Sequence, residues 1–176
     1  ILPILTTGLY RDTLDTLREY VQNAIDANAS NMEMVIDPDI LSITDDGDGM
    51  NGLQARQAIR LGISLKNPLR NVGFRGIGIY SAYNLCDELE IRTRARGRDA
   101  QTFVIRFAFK SMRDRILKEQ GRRKSNLPPK LFLEELLRDS VSVDVDQINP
   151  RSKHGTTAVF THLIEDVYRR MNEWDE

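Results

Sequence analysis

The chain has 176 residues, 40% of them hydrophobic and 29% charged, with a formal net charge of −1; this composition fits one globular domain, or one domain with a modest insertion. It contains no run of 18 apolar residues and no signal-peptide pattern, which excludes a transmembrane helix, and we expect no membrane association. The single cysteine, Cys86, excludes a disulfide framework and indicates a reducing, cytoplasmic location.

The first predicted element is a helix over residues 11–29, where apolar residues recur at three- and four-residue steps. The opposite, polar stripe consists of Asp12, Asp15, Glu19, Asn23 and Asp26. Such a stripe is usually the solvated side of a helix, but Asn23 is a poor helix former, which favours a functional role. The amide oxygen of Asn23 would suit Mg²⁺, and the carboxylate of Glu19, one turn away, would suit activation of water.

A predicted hairpin comes next, with strands at residues 32–36 and 40–44 around an Asp-Pro-Asp turn. Asn51 predicts the N-terminal cap of a short helix that extends to about residue 61. Residues 62–78 are rich in Gly, Asn and Pro and predict a long, mobile loop, and a second helix begins near Ile77.

Two further strands are predicted at residues 88–94 and 101–109. Residues 110–140 predict an insertion of charged helical stretches interrupted by Asn-Leu-Pro-Pro. The remaining predicted elements are strands at 141–145 and 156–161 and a helix at 164–174. This order predicts an α+β sandwich, with helices over one face of a mostly antiparallel sheet.

Positive charge is concentrated in residues 92–130, which carry 13 Lys or Arg against three acids, whereas the rest of the chain has a net charge of −11. The asymmetry suggests an acidic partner. Arginines at positions 92, 94, 96 and 98 would share one strand face, as in a nucleic-acid-binding surface. The alternative is a solvated sheet edge protected by charge, which we slightly favour.

The loop after the second strand reads Asp45-Asp46-Gly47-Asp48-Gly49-Met50. Its glycines permit a close approach of the backbone to a flat ligand, and an acid there would accept hydrogen bonds from an exocyclic amine. A calcium loop is a weaker alternative because Arg56 stands where the closing Glu is needed. A plain Asp/Gly turn is the other alternative.

A glycine motif, Gly73-Phe74-Arg75-Gly76-Ile77-Gly78, precedes an apolar helix. Its backbone amides and the following helix N-terminus suit phosphate binding, although the spacing is neither that of a dinucleotide fold nor that of a Walker loop. The alternative is a flexible loop that enters a helix. A fourth segment, His154-Gly155-Thr156-Thr157, opens a strand.

In this order and spacing, the four motifs resemble those of the GHKL ATPases, which include gyrase, the ninety-kilodalton heat-shock chaperones, histidine kinases and MutL. The resemblance implies a single ATP-binding domain over residues 1–176 with a basic insertion around 110–140. It implies the Bergerat fold, a two-layer α+β sandwich with a mostly antiparallel, mixed sheet, helices on one face and a mobile ATP lid. Because the chain begins at Ile1, we expect a piece of a longer protein.

The resemblance also assigns roles to residues. Glu19 matches the general base, Asn23 the Mg²⁺ ligand and Asp45 the acceptor for the adenine amine. The further nucleotide-binding residues that it implies are Asp26, Gly47, Gly49, Met50, Lys66, Gly73, Phe74, Arg75, Gly76, Ile77, Gly78, Ile79 and Thr156.

The implied function is Mg²⁺-dependent ATP binding and slow hydrolysis that drives a conformational or dimerisation switch, chaperone-like or MutL-like. The resemblance implies a nucleotide-dependent homodimer formed through further domains, and an isolated domain that is inactive without a lysine from them. One alternative is a nucleotide-gated, nucleic-acid-binding module. A phosphotransfer domain is less favoured, because histidine kinases generally carry Asn where Glu19 stands.

Overall fold

The computed structural model describes residues 13–59, 78–97, 100–124, 133–147 and 153–164, together with 167 and 169. The helices are α1 (Thr13–Asp26), α2 (Gly52–Ala58), α3 (Phe109–Lys124) and α4 (Leu133–Ser140), and Gly78–Asn84 forms a 3₁₀ helix. The strands are β1 (Met32–Ile36), β2 (Ile40–Asp45), β3 (Cys86–Arg94), β4 (Thr102–Ala108), β5 (Val141–Val145) and β6 (Gly155–Leu163).

Within the described part of the chain, six strands form one sheet in the order β1-β2-β6-β3-β4-β5. Every pairing among the described strands is antiparallel, so none of them supplies the parallel pair of a mixed sheet. Helices α3 and α4 lie in the chain between β4 and β5, which are neighbours in the sheet. The predicted α+β class and the predominantly antiparallel sheet are confirmed.

The core lies between the helices and one face of the sheet. Strand alternation places Leu41, Phe160, Leu89 and Phe107 side by side across four strands, and all four side chains are buried. Tyr20 of α1 packs edge-on against Phe160, with ring centroids 4.9 Å apart. The ring of Tyr80 contacts Phe107 in the same way at 5.2 Å. Aromatic contacts of this kind fix the positions of α1 and the 3₁₀ helix relative to the sheet.

The opposite face of the sheet carries ion pairs. Glu90 binds Arg92 at 2.7 Å and Arg106 at 2.9 Å, and Arg92 also contacts the buried carboxylate of Asp146 at 3.3 Å. Strand β3 lies between β6 and β4. The prediction of a sheet edge for the arginine-rich strand is therefore wrong, because strand order depends on long-range pairing that the local pattern does not encode.

Asn51 caps α2 as predicted. Its side chain accepts from the backbone N–H of Gln54 at 2.9 Å, and the Gln54 side chain accepts from the N–H of Asn51 at 2.9 Å. The helix ends at Ala58 rather than near residue 61. The element expected from Ile77 is a 3₁₀ helix that begins at Gly78. Of the last predicted helix, residues 164, 167 and 169 are described; Ile164 is not helical, whereas residues 167 and 169 are.

Candidate functional site

One end of the candidate site lies where α1 meets the 3₁₀ helix. A methyl group at Gly78 would lie 2.8 Å from Oε2 of Glu19 and 3.8 Å from Nδ2 of Asn23. A larger residue at position 78 would require the Glu19 side chain to move. The structure thus brings together three predicted site residues that are up to 59 positions apart in the sequence.

Hydrogen bonds from α1 hold the 3₁₀ helix in this place. The Tyr20 hydroxyl donates to the carbonyl of Ile79 at 3.1 Å, and the buried Thr16 hydroxyl donates to the carbonyl of Ser81 at 3.1 Å. Burial raises the pKa of the Tyr20 hydroxyl well above its ordinary value, so it remains a donor. Asp26, another predicted contact, accepts from Gln22 on its own helix at 3.0 Å.

Asp45 lies at the other end of the candidate site, where β2 ends. Its Oδ1 accepts from the backbone N–H of Gly47 at 2.9 Å. Burial raises its pKa, against the opposing effect of hydrogen bonds from the backbones of Gly47 and Thr156. A methyl group at Gly47 would lie 2.8 Å from Cβ of Ala27, so the loop packs closely against the residue that follows α1.

The two ends are therefore connected by one helix. Ala27 follows Asn23 by four residues and Glu19 by eight, which corresponds to about 6 Å and about 12 Å along the axis at 1.5 Å per residue. An elongated ligand that contacts both Asp45 and Glu19 would lie along this helix.

The other acids of the loop hold its shape. Asp46 accepts from the backbone N–H groups of Ser30 and Asn31, at 2.7 and 2.9 Å, and from the Asn31 side chain at 2.8 Å. Asp48 accepts from the Asn28 side chain at 2.6 Å and pairs with Arg96 at 2.8 Å.

Among the described residues, no group of three or more His, Cys, Asp or Glu could hold a metal ion.

The hydrogen bonds to Asp46 predict a pH dependence of stability. Hydrogen bonds lower the pKa of Asp46 from 3.8 to about 2. The largest effect comes from the backbone N–H of Asn31, followed by the Asn31 side chain and the backbone N–H of Ser30. On acidification the unfolded chain binds this proton first, so the stabilisation is complete above pH ~4 and is lost towards pH ~2. Urea unfolding of the wild type and Asp46→Asn should show a stability difference that shrinks over this range. A difference independent of pH would contradict the assignment.

Thr93 was not predicted as a site residue. Its hydroxyl accepts from the backbone N–H of Met50 at 2.8 Å and lies 3.1 Å from the Thr156 hydroxyl. The β3–β6 register pairs Thr93 with Thr156, and the β2–β6 register pairs Thr156 with Asp45. The available signal was strand alternation, which places Thr93 on the inward side with Leu89 as a buried polar residue. Thr93 therefore links Met50 and Thr156 beside Asp45.

Gly155 lets β6 approach β2 closely at this end. Its φ is +120°, and a methyl group there would lie 2.1 Å from the carbonyl oxygen of Asp45. We expect Gly155→Ala to lower the free energy of unfolding by at least about 2 kcal/mol more than Gly97→Ala does. Gly97 is the matched control, because its φ is +136° but no atom of the described residues lies within 4 Å of an added methyl group. Equal losses in urea unfolding would refute a clash at Gly155.

A cavity of about 250 Å³ lies at the same end of the sheet, with Asp45, Thr93 and Thr156 in its wall. Thr44, Arg92 and Thr157 also line it, and strand alternation places these three on the face opposite Asp45. Its described lining includes neither Glu19 nor Asn23. The cavity is therefore lined from both faces of the sheet at the Asp45 end of the candidate site.

Several predicted site residues lie outside the described residues. They are Lys66, Gly73, Phe74, Arg75, Gly76 and Ile77. The predicted lid falls mostly within residues 60–77 and is likewise outside them. Gly49 is described, with φ +62°, and an added methyl group would lie 2.0 Å from the carbonyl oxygen of Arg94. The glycine of the loop thus packs directly on β3.

Among the described residues, no helix combines the length and hydrophobicity that crossing a membrane requires.

Comparison with curated proteins finds the DNA mismatch repair protein MutL of Parabacteroides distasonis, 34% identical over 96 residues. The match covers 49% of this chain and 15% of that relative, so the chain spans a small part of it. A family model described as "Histidine kinase-, DNA gyrase B-, and HSP90-like ATPase" matches residues 13–156, which is most of the chain. The chain belongs to this family of ATPases, as its motif order predicted.

Proposed function

We propose that this chain binds Mg²⁺·ATP along α1 and hydrolyses it slowly, with Glu19 as general base and Asp45 as the adenine acceptor. The close approach of Gly78 to the Glu19 carboxylate, with the Asn23 amide nearby, carries the proposal. It brings a carboxylate, an amide and a backbone turn to one place, about 12 Å along the helix from the loop that begins at Asp45. This separation suits a nucleotide with its base at one end and its phosphates at the other.

The residues present fit Mg²⁺. Carboxylate and amide oxygens are ligands that it prefers, and the Glu19 carboxylate and the Asn23 amide lie 2.8 and 3.8 Å from the position that a Cβ of Gly78 would take. Asn23 would hold the ion together with phosphate oxygens. Bound Mg²⁺ would withdraw charge from the γ-phosphate, and the effect of the chain's own residues would be positioning and charge stabilisation.

Glu19 would orient a water molecule in line with the γ-phosphate and accept its proton. Asp45 would accept a hydrogen bond from the adenine amine, and Thr156 would support Asp45 and the base through water. The phosphates would contact the backbone of Gly73–Gly78 and Ile79, with Lys66 as a further contact, and Gly49 and Met50 would form the wall of the base pocket. In this proposal Asp26 remains a nucleotide contact of α1.

The proposal includes a switch in which ATP closes the domain and promotes dimerisation through parts of a longer chain in a reducing, cytoplasmic setting. Hydrolysis would then reset the switch. The similarity to a MutL protein favours the MutL-like branch over the chaperone-like one. Radiolabel transfer from ATP onto protein would instead indicate a phosphotransfer domain.

Calorimetry with a non-hydrolysable ATP analogue, with and without Mg²⁺, tests the binding proposal. A phosphate-release assay then tests hydrolysis separately. Binding should strengthen with Mg²⁺ and should prefer adenine over guanine nucleotides by about 100-fold, because guanine presents a carbonyl oxygen to the Asp45 carboxylate. Equal binding of ATP and GTP would contradict the proposed orientation.

A second candidate is a nucleotide-gated, nucleic-acid-binding module, for which the similarity to a mismatch repair protein is the specific support. Against it, Arg92, Arg96 and Arg106 pair with acids of the chain. Binding of DNA or RNA that weakens steeply with salt would support this candidate, because phosphate contacts release counterions. The other possible partner of the basic segment at residues 92–130 is an acidic protein.

A further inference from the structure

Arg113, on the inserted helix α3, contacts the junction between the 3₁₀ helix and β3. Its guanidinium donates to the carbonyl of Tyr83, to the carbonyl of Cys86 at 3.0 Å and to the carboxylate of Asp87. The guanidinium carbon also lies 5.5 Å from the centre of the Tyr83 ring. An arginine can satisfy two carbonyls and a carboxylate at once because its donors form a planar fork. Arg113 therefore fixes the C-terminal end of the 3₁₀ helix.

The other end of the same 3₁₀ helix forms part of the candidate nucleotide site, through Gly78 and Ile79. The helix has seven residues, so its ends are about 14 Å apart at 2.0 Å per residue. Its four residues from Tyr80 to Tyr83 are buried, and the Tyr80 hydroxyl donates to the carbonyl of Ile59 at 2.6 Å. A packed element of this length transmits a shift at one end to the other, because close-packed interiors leave little space to absorb it.

Contacts other than those of Arg113 also hold the inserted helix in place. Phe109, Met112 and Ile116 are buried on its inner side, and Arg115 pairs with Asp139 of α4 at 2.9 Å. The ring of Phe109 stacks on Phe107 of β4 with centroids 5.4 Å apart. These contacts attach α3 to the sheet and to α4. The contacts of Arg113 are instead directed at the 3₁₀ helix and the first residues of β3.

We propose that Arg113 is a positioning residue for the nucleotide site and that it couples the inserted helices to nucleotide binding through the 3₁₀ helix. The inference rests on the proposed function, since it assumes that ATP binds beside Gly78. By linkage the coupling is reciprocal, so nucleotide binding stabilises the contact between α3 and the 3₁₀ helix. A partner that displaces α3 would weaken nucleotide binding by the same factor.

Calorimetry with a non-hydrolysable ATP analogue and Mg²⁺ tests this on the wild type, Arg113→Gln, Arg113→Lys and Arg115→Gln. We expect Arg113→Gln to raise the dissociation constant about tenfold, which is about 1.4 kcal/mol. Arg113→Lys should be intermediate, since an ammonium group can pair with Asp87 without bridging both carbonyls. Arg115→Gln, which removes an ion pair of the same helix, should stay within about twofold of the wild type.

Hydrogen exchange on the wild-type protein gives a readout that does not depend on the folding of a variant. Binding of the analogue should slow exchange of backbone amides in residues 109–124. The inference is overturned if bound nucleotide leaves that exchange unchanged, or if Arg113→Gln lowers the melting temperature but binds the analogue as Arg115→Gln does. If the wild type itself fails to bind the analogue, it is the proposed function that fails.

Discussion

Replacing Glu19 with alanine should abolish ATP turnover while leaving nucleotide binding largely intact. Its carboxylate faces Gly78, where the proposal places the γ-phosphate and the attacking water. A positioned general base typically contributes a factor of about 10² to 10⁴ in rate, so phosphate release should fall by at least about 100-fold. The dissociation constant of a non-hydrolysable analogue should change by less than about threefold, because the base acts mainly in the transition state.

Asp15→Ala is the matched control for this measurement. Asp15 lies one turn earlier on α1, and its carboxylate pairs with Arg18 at 3.0 Å on the exposed side. Its removal should leave turnover unchanged, because surface ion pairs contribute little and the Asp15 carboxylate pairs with Arg18 of the same helix turn. Single-turnover phosphate release with enzyme in excess measures both variants. Hydrolysis that survives in Glu19→Ala would show that the base has been assigned to the wrong residue.

Replacing Asp45 with asparagine should remove ATP binding and leave the fold intact. Asparagine keeps an oxygen for the backbone N–H of Gly47 but can place an NH₂ donor against the adenine amine. The loss of one hydrogen bond and the meeting of two donors should weaken binding by at least about 100-fold. Calorimetry with an ATP analogue measures this directly, and unchanged affinity would refute the adenine role.

The stability of Asp45→Asn provides an independent check. Because burial raises the pKa of Asp45, the folded state holds its proton more tightly than the unfolded chain does. Stability is therefore lost as the pH rises through the window between the ordinary pKa and the raised one. At neutral pH the neutral asparagine should be as stable as aspartate or more stable. Asp46→Asn, the same change one residue later, should instead lower stability and retain binding, since the Asp46 carboxylate holds the backbone of Ser30 and Asn31.

The arrangement of the candidate site predicts that its two ends respond differently to substitution. Glu19 is partly exposed beside a turn, and its predicted effect is on rate. Asp45 lies in a network of backbone groups and threonines, and its predicted effect is on recognition. A variant at one end should leave the function of the other end measurable. Binding and hydrolysis can therefore be tested as separate properties.

Much of the fold was predictable because its signals are local. The apolar stripe of α1, the alternation in β3 and the capping residue Asn51 each act within one element. The four motifs likewise predicted the ATPase family, which the family match confirms. The residue types and the spacing of Glu19, Asn23 and Asp45 could be recognised in the sequence. Their roles stay predictions until they are tested.

Only the tertiary structure decided how the segments meet. The approach of Gly78 to Glu19, the hydrogen bond from Met50 to the Thr93 hydroxyl and the attachment of Arg113 to the 3₁₀ helix all join residues at least 30 positions apart. The interior position of β3 follows from its pairing with β6, which lies far along the chain. Such pairings depend on packing among many elements at once. Local sequence therefore determined the elements and the motif residues, and packing determined their neighbours.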